Sequence, residues 1–248
     1  KEPNGDDYTI NVITYPTDGY VTVQPDGRVI YTPEEGFSGS DRLVYSVKDC
    51  FGNSSETAIL DIEVLKNESG LVFEDMKDNL SHFYAYSMCE NDTMVYRCEN
   101  GKYYFDPDAP VSKVEFLVML MCASNLDADI VAVADSVISD DGELSSGLKG
   151  YISTAAEKDI ILLENGKFSP KADITFADGA YMIAAALELP FRTSSDGESI
   201  NASASAVRNA DIFDEEWAPD AVITKVDAAK ILYRIGEYMS ENNMSDKG

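Results

Sequence analysis

Residues 105–115 read FDPDAPVSKVE, residues 168–178 read FSPKADITFAD, and residues 217–227 read WAPDAVITKVD. The frame they share is aromatic-x-Pro-x-Ala-x-(Val/Ile)-(Ser/Thr)-x-x-(Asp/Glu), and an apolar run follows each copy. Ser112, Thr175 and Thr224 stand where a hydroxyl caps a helix N-terminus, with Glu115, Asp178 and Asp227 three residues on. In such a box the hydroxyl accepts from a backbone N–H that has no helical partner, and the acid reaches back to the cap. The acid also faces the positive end of the helix dipole. Proline five residues before the cap belongs to the entering loop, since it cannot sit inside the helix. One such box arises often by chance. Three with matching aromatic, Pro, Ala and β-branched positions are an internal repeat.

The spacing predicts helices over about 113–124, 176–188 and 225–239, each apolar round most of its circumference. Helices of ~12 residues are marginal alone, so packing must stabilise them, and a central three-helix bundle with pseudo-threefold symmetry is expected. Each copy has a more polar helix upstream, at about 80–90, 147–158 and 200–208. Two copies carry Glu-Asn-Gly-Lys before the aromatic, at 99–102 and 164–167, and two open on short acidic leads, Phe73-Glu74-Asp75 and Val133-Ala134-Asp135.

Before residue 67 the period is two. Val21 and Val23 alternate with Thr22 and Gln24, then Pro25-Asp26-Gly27 leads to Val29 and Tyr31. Asp-Gly between alternating apolar runs is a strong hairpin signal, because a type I′ turn needs positive φ at both central residues. Leu43, Tyr45 and Val47 share one face, as do Ala58, Leu60, Ile62 and Val64. Five or so short strands with turns at this spacing predict an all-β sandwich over residues 1–66. Asn67-Glu68-Ser69-Gly70 reads as a linker, and repeats follow at about 71–126, 127–190 and 191–240 within 71–248.

The 248 residues carry 45 acids against 19 bases, a net charge of −26. That field repels phosphate backbones, so no nucleic-acid partner is expected. No stretch approaches the ~18 apolar residues of a membrane span, so membrane insertion is not expected either. No leader opens the sequence, so any signal peptide is expected to have been removed or to lie outside it. Cys50, Cys89, Cys98 and Cys122 form no C-x-x-C pair; Cys89 and Cys98 would be bridged in an oxidising compartment, while the plainer reading is four separate small apolar residues.

Residues ~10–66 resemble the cadherin-like, immunoglobulin-like repeats of large bacterial surface proteins. The match is carried by Tyr31, Pro33, Gly36, Phe37, Gly39, Asp41, Tyr45, Val47, Asp49 and Gly52. The resemblance implies a spacer or adhesive module that continues a longer array. Asp41 and Asp49 are candidate calcium ligands there, with turn-forming acids the commoner reading; no other cofactor is expected. Residues 70–240 resemble the S-layer homology (SLH) domain, most closely at Gly166, Phe168, Pro170, Ile174 and Thr175. That resemblance implies three repeats forming a prism whose grooves hold secondary cell-wall polysaccharide. It implies a secreted, non-catalytic protein anchored at the bacterial surface. The family's Arg after the cap, which meets the acidic glycan, is Lys113, Phe176 and Lys225 in this chain.

Lys113 and Lys225 are therefore the candidate glycan-binding residues, and cell-wall polysaccharide the expected partner. Phe176 and the acidic balance support a second expectation, an SLH-like fold kept as a structural or protein-interaction module that binds other surface proteins. His82 is the only histidine, so any Ser–His or Cys–His catalysis must use it, but its setting in SHFYAYS reads as packing. Asp140-Asp141-Gly142-Glu143 reads as a solvated turn. No acid pair stands out for glycoside hydrolysis. Phe105, Phe168 and Trp217 read as wedges for their loops, with stacking on sugar rings the alternative.

Overall fold

The computed structural model describes residues 8–24, 27–34, 36–77, 79–128, 130–191, 198–214, 217–242 and 244. The chain forms two compact units, Lys1–Gly70 and Leu71–Gly248.

Among the described residues the first unit has five antiparallel strands. β1 (Tyr8–Thr14), β4 (Gly39–Asp49) and β5 (Ala58–Val64) form one sheet in the order β1-β4-β5. β2 (Gly19–Val23) and β3 (Val29–Pro33) form a hairpin, with Val23 opposite Val29. Its turn includes Gly27 at φ +84°; Pro25 and Asp26 lie outside the described residues. Leu43 is buried on β4 beside two polar groups, Asp41 and Ser46. Asp41 ties the hairpin to the sheet. Its carboxylate accepts from the N–H groups of Thr17 (3.0 Å), Asp18 (3.0 Å) and Arg42 (2.8 Å) and from the Tyr31 hydroxyl (2.9 Å). Asp49 accepts from the N–H groups of Phe51 and Asn53 and from the Asn53 side chain, which folds the β4–β5 turn. Both acids thus do backbone work, in line with the turn-forming reading. No cluster able to hold a metal ion occurs among the described residues.

The second unit contains α1 (His82–Glu90), α2 (Lys113–Ala123), α3 (Ser146–Glu157), α4 (Phe176–Ala186), α5 (Glu198–Asn209) and α6 (Lys225–Glu241), with a small hairpin of β6 (Arg97–Glu99) and β7 (Lys102–Tyr104). Asn100-Gly101 turns that hairpin and Asn165-Gly166 turns its counterpart, where Glu164 pairs with Lys167. All four turn residues have positive φ, the requirement of a type I′ turn. The helices stop alike. Asp92, Asn125, Asp159, Glu188 and Asp211 each follow a helix at φ between 53° and 56°. Aspartate and asparagine, four of the five, tolerate that left-handed stop better than branched residues do.

The three copies close into a ring. The N–H of Val111 donates to the Ile223 carbonyl (3.1 Å), that of Ile223 to Ile174 (2.9 Å), and that of Ile174 back to Val111 (2.9 Å). A second ring surrounds the first. The N–H groups of Lys113, Phe176 and Lys225, the first helical residues, donate to the carbonyls of Ala172, Ala221 and Ala109 in the next copy. Those of Val114, Ala177 and Val226, the second helical residues, donate to Pro170, Pro219 and Pro107. Ser112, Thr175 and Thr224 accept from the third helical N–H. A helix N-terminus leaves four N–H groups without intrahelical partners. Here two of them are satisfied by the next copy's Pro-x-Ala carbonyls, which gives those loop residues their place in the frame.

Packing follows the same rotation. α1 lies against α6, α3 against α2 and α5 against α4, while α2 also meets both α4 and α6. One continuous core runs through the unit, including Phe73, Phe105, Phe116, Leu117, Ile174, Ile183, Ile223 and Ile235.

Two sequence readings change. The second acidic lead is Ile138-Ser139-Asp140 rather than Val133-Ala134-Asp135. Asp75 accepts from the N–H groups of Phe105 (2.9 Å) and Asp106 (2.7 Å), and Asp140 does the same for Phe168 (3.2 Å) and Ser169 (2.8 Å). Asp140 is therefore a brace, set in a turn whose Gly142 and Glu143 are exposed. Asp141 holds Ser136 and Lys149, while Glu143 pairs with Lys171. The four cysteines are free thiols, Cys89 buried and Cys98 exposed.

Candidate functional site

Ring closure brings each residue after a cap onto the aromatic of the next copy, so the molecule has three seams. Lys113 and Lys225 occupy different ones.

At the seam of copies three and one, the Lys225 ammonium donates to the carbonyls of Val95 (2.7 Å) and Phe105 (2.8 Å) and lies 4.7 Å from the centre of the Phe105 ring. Burial pushes its pKa down, and the nearby Cys89, Asp106, Asp75 and Glu115 oppose that only in part. No carboxylate forms an ion pair with it among the described residues. The side chain opens on a groove of about 280 Å³ walled by Val95, Val111, Val114, Val118, Met119 and Leu148, with Glu115 at the edge. Glu115 is held by Ser112 in a closed capping box.

At the seam of copies one and two, Lys113 pairs with Asp178 at 2.9 Å, both side chains partly buried. Asp178 is thereby drawn away from its own cap: α2 and α6 have closed boxes, while α4 keeps only the Thr175 half. The cavity beside Lys113, between Phe168 and Tyr181, has a volume of about 20 Å³. That is room for about one water and not for a sugar.

At the seam of copies two and three, Phe176 is 4 % exposed. It stacks on Trp217 with centroids 4.4 Å apart and planes at 28°, and meets Phe213 edge-on at 5.4 Å. An apolar plug replaces a cation here. Two cations stand further along α6 instead: Lys230 and Arg234 pair with Asp214 at 2.6 Å and 2.9 Å. Burial works against the charge of Asp214, and the two cations outweigh it, holding its carboxyl below the usual range. Sequence reading missed this trio because no other copy has its equivalent.

Phe105 and Phe168 are buried, so they wedge their loops and offer no free face. Trp217 is partly exposed, but one face carries Phe176. His82 lies edge-on to Phe73, 6.1 Å between centroids. Its Nε2 is buried without a hydrogen-bond partner among the described residues, and burial pushes its pKa down. That is a packed histidine. Asp75 and Asp140 could have been found by their spacing, 30 and 28 residues before the aromatic N–H each one holds.

No helix among the described residues is long and apolar enough to cross a membrane. No curated protein matches the chain. Residues 1–63 match the bacterial Ig domain family, which fits the antiparallel sheets of the first unit and suggests a surface-associated protein.

Proposed function

We propose that the chain is a non-catalytic part of a secreted bacterial surface protein, with residues 1–66 a spacer and residues 71–248 an SLH-like unit that anchors it to cell-wall polysaccharide. The threefold ring supports the SLH-like reading, since three copies joined by one repeated set of bonds are what that family's prism requires. The observation that carries the binding reading is Lys225. It alone among the three post-cap residues keeps a cation free of a carboxylate partner, and it opens on a groove of about 280 Å³. A charge-assisted hydrogen bond to a glycan carboxylate is roughly twice as strong as a neutral one. Binding is thus assigned to one seam, with Lys113 a cross-link between copies.

Co-sedimentation of the full chain with purified Gram-positive-type cell walls tests this. The wild type should pellet; Lys225→Ala and the groove-filling Leu148→Trp should stay in solution. Lys113→Ala should pellet with the walls and melt at a lower temperature. A wild type that stays in the supernatant would sink the anchoring reading.

A second reading is favoured by the stacked Phe176 and the paired Lys113: the fold persists as a structural or protein-interaction module with its seams filled from within. It predicts no wall binding in any variant and retention of the chain by another surface protein.

A further inference from the structure

Along the seam where α6 meets α1, below the Phe176 plug, lies a groove of about 580 Å³ that the proposed anchoring does not use. Its walls come from Tyr84 on α1, Asp211 after α5, and Arg234, Glu237, Tyr238 and Glu241 on α6. Volumes of roughly 300–1,000 Å³ are those of small-ligand sites. We propose that this groove binds neutral sugar units, as a second glycan site separate from Lys225.

The groove combines a fixed donor, several acceptors and aromatic surface. Arg234 Nη1 donates to the Ile212 carbonyl (3.2 Å) and to Asp214 (2.9 Å), and Lys230 holds the other Asp214 oxygen at 2.6 Å. That clamp fixes the guanidinium and leaves its Nε and Nη2 without a protein partner among the described residues. Tyr84 is set by packing, edge-on to Tyr233 at 5.3 Å, with Phe83 packed on both. Asp211, Glu237 and Glu241 are exposed and supply acceptors on the rim.

The lining selects among ligands. An acidic sugar would meet Asp211, Asp214, Glu237 and Glu241 together and be repelled. An apolar ligand would strip water from these groups without pairing them, which is costly. A cationic segment would suit the acids but would meet Arg234 in the wall. A neutral sugar offers hydroxyls that both donate and accept, matching Arg234 and the carboxylates at once. Its C–H faces suit the tyrosine rings. The reading shares the glycan class of the proposed anchoring but not its residues, so each can fail alone.

Titration calorimetry and saturation-transfer NMR on the full chain test it. The probes are neutral gluco-, manno-, galacto- and N-acetylglucosamine trisaccharides at millimolar concentration, a galacturonate trisaccharide, and a hexalysine peptide. At least one neutral trisaccharide should bind, and the galacturonate should not. The Glu237→Gln/Glu241→Gln pair, both exposed, should weaken that binding about tenfold, as should Tyr84→Ala if it folds. Lys225→Ala should leave it unchanged. Silence from every neutral trisaccharide, binding of hexalysine alone, or full affinity in the Gln pair would overturn the proposal. Loss of trisaccharide binding in Lys225→Ala would move the sugar to the other groove and overturn it too.

Discussion

Asp41 couples the β2–β3 hairpin to β4 through charge. Burial works against its carboxylate, but the N–H groups of Thr17, Arg42 and Asp18 and the Tyr31 hydroxyl outweigh that and pull its pKa down to about 2 from 3.8. The partner responds in the opposite sense: burial and the bond to Asp41 push the Tyr31 hydroxyl up to about 12. A folded-state value below the unfolded one means that the unfolded chain takes up the proton first, so stability falls as pH drops. The contribution is complete above about pH 4 and is lost on the way down to about 2. Protection of the β4 amides, which is the exchange rate corrected for its intrinsic pH dependence, should therefore fall across that window in the wild type. In Asp41→Asn, protection should already be low at neutral pH and its acid dependence in that window should flatten. An unchanged acid slope in the variant would assign the effect to other carboxylates.

At the level of helices, the N-termini of α2, α4 and α6 are shared structures. Proline is normally welcome at the first helical position, because its missing N–H has no helical partner anyway. At residue 225 that N–H donates to the Ala109 carbonyl at 2.8 Å, 116 positions away in the chain and in another copy. Lys225→Pro should thus be less stable than Lys225→Ala by about 1 kcal/mol, the net value of one lost hydrogen bond, measured as a difference between urea unfolding curves. Equal stabilities would mean the inter-copy bond carries nothing. The caps themselves were legible in the sequence, since a hydroxyl and an acid three residues apart act within one turn. The Pro-x-Ala positions were visible as a pattern without a mechanism, because their partners lie in another copy and a carbonyl leaves no trace in residue type. The bracing role of Asp140 was missed for a related reason. Asp135 matches the spacing of a lead, while the bonds to Phe168 and Ser169 that define the role belong to a residue five positions later. Site residues were harder still: Lys113 and Lys225 look alike in sequence, and only the position of Asp178 separates them.

Across the whole chain, the two units differ in what holds them. Lys1–Gly70 relies on strand pairing around a small interior, whereas Leu71–Gly248 has a continuous core threaded by a closed ring of copies. Threefold repetition and a closed pseudo-threefold bundle could be read from the chain; the backbone bonds that return the third copy to the first could not, since their carbonyls leave no trace in residue type. Closure has an energetic consequence. In an open stack, loss of a terminal copy removes one interface and leaves the rest folded. In this ring, removal of residues 191–248 takes away α5 from α4 and α6 from α1 and α2. It also removes two of the three central hydrogen bonds, those that join Val111 and Ile174 to Ile223. Calorimetry of the full chain should accordingly show two transitions, one for each unit. Truncation after residue 190 should abolish the second transition outright and leave that of the β unit at its original temperature. A truncated chain that kept a cooperative helical transition near the original temperature would show that two copies suffice, and that the ring closes over a structure already stable without it.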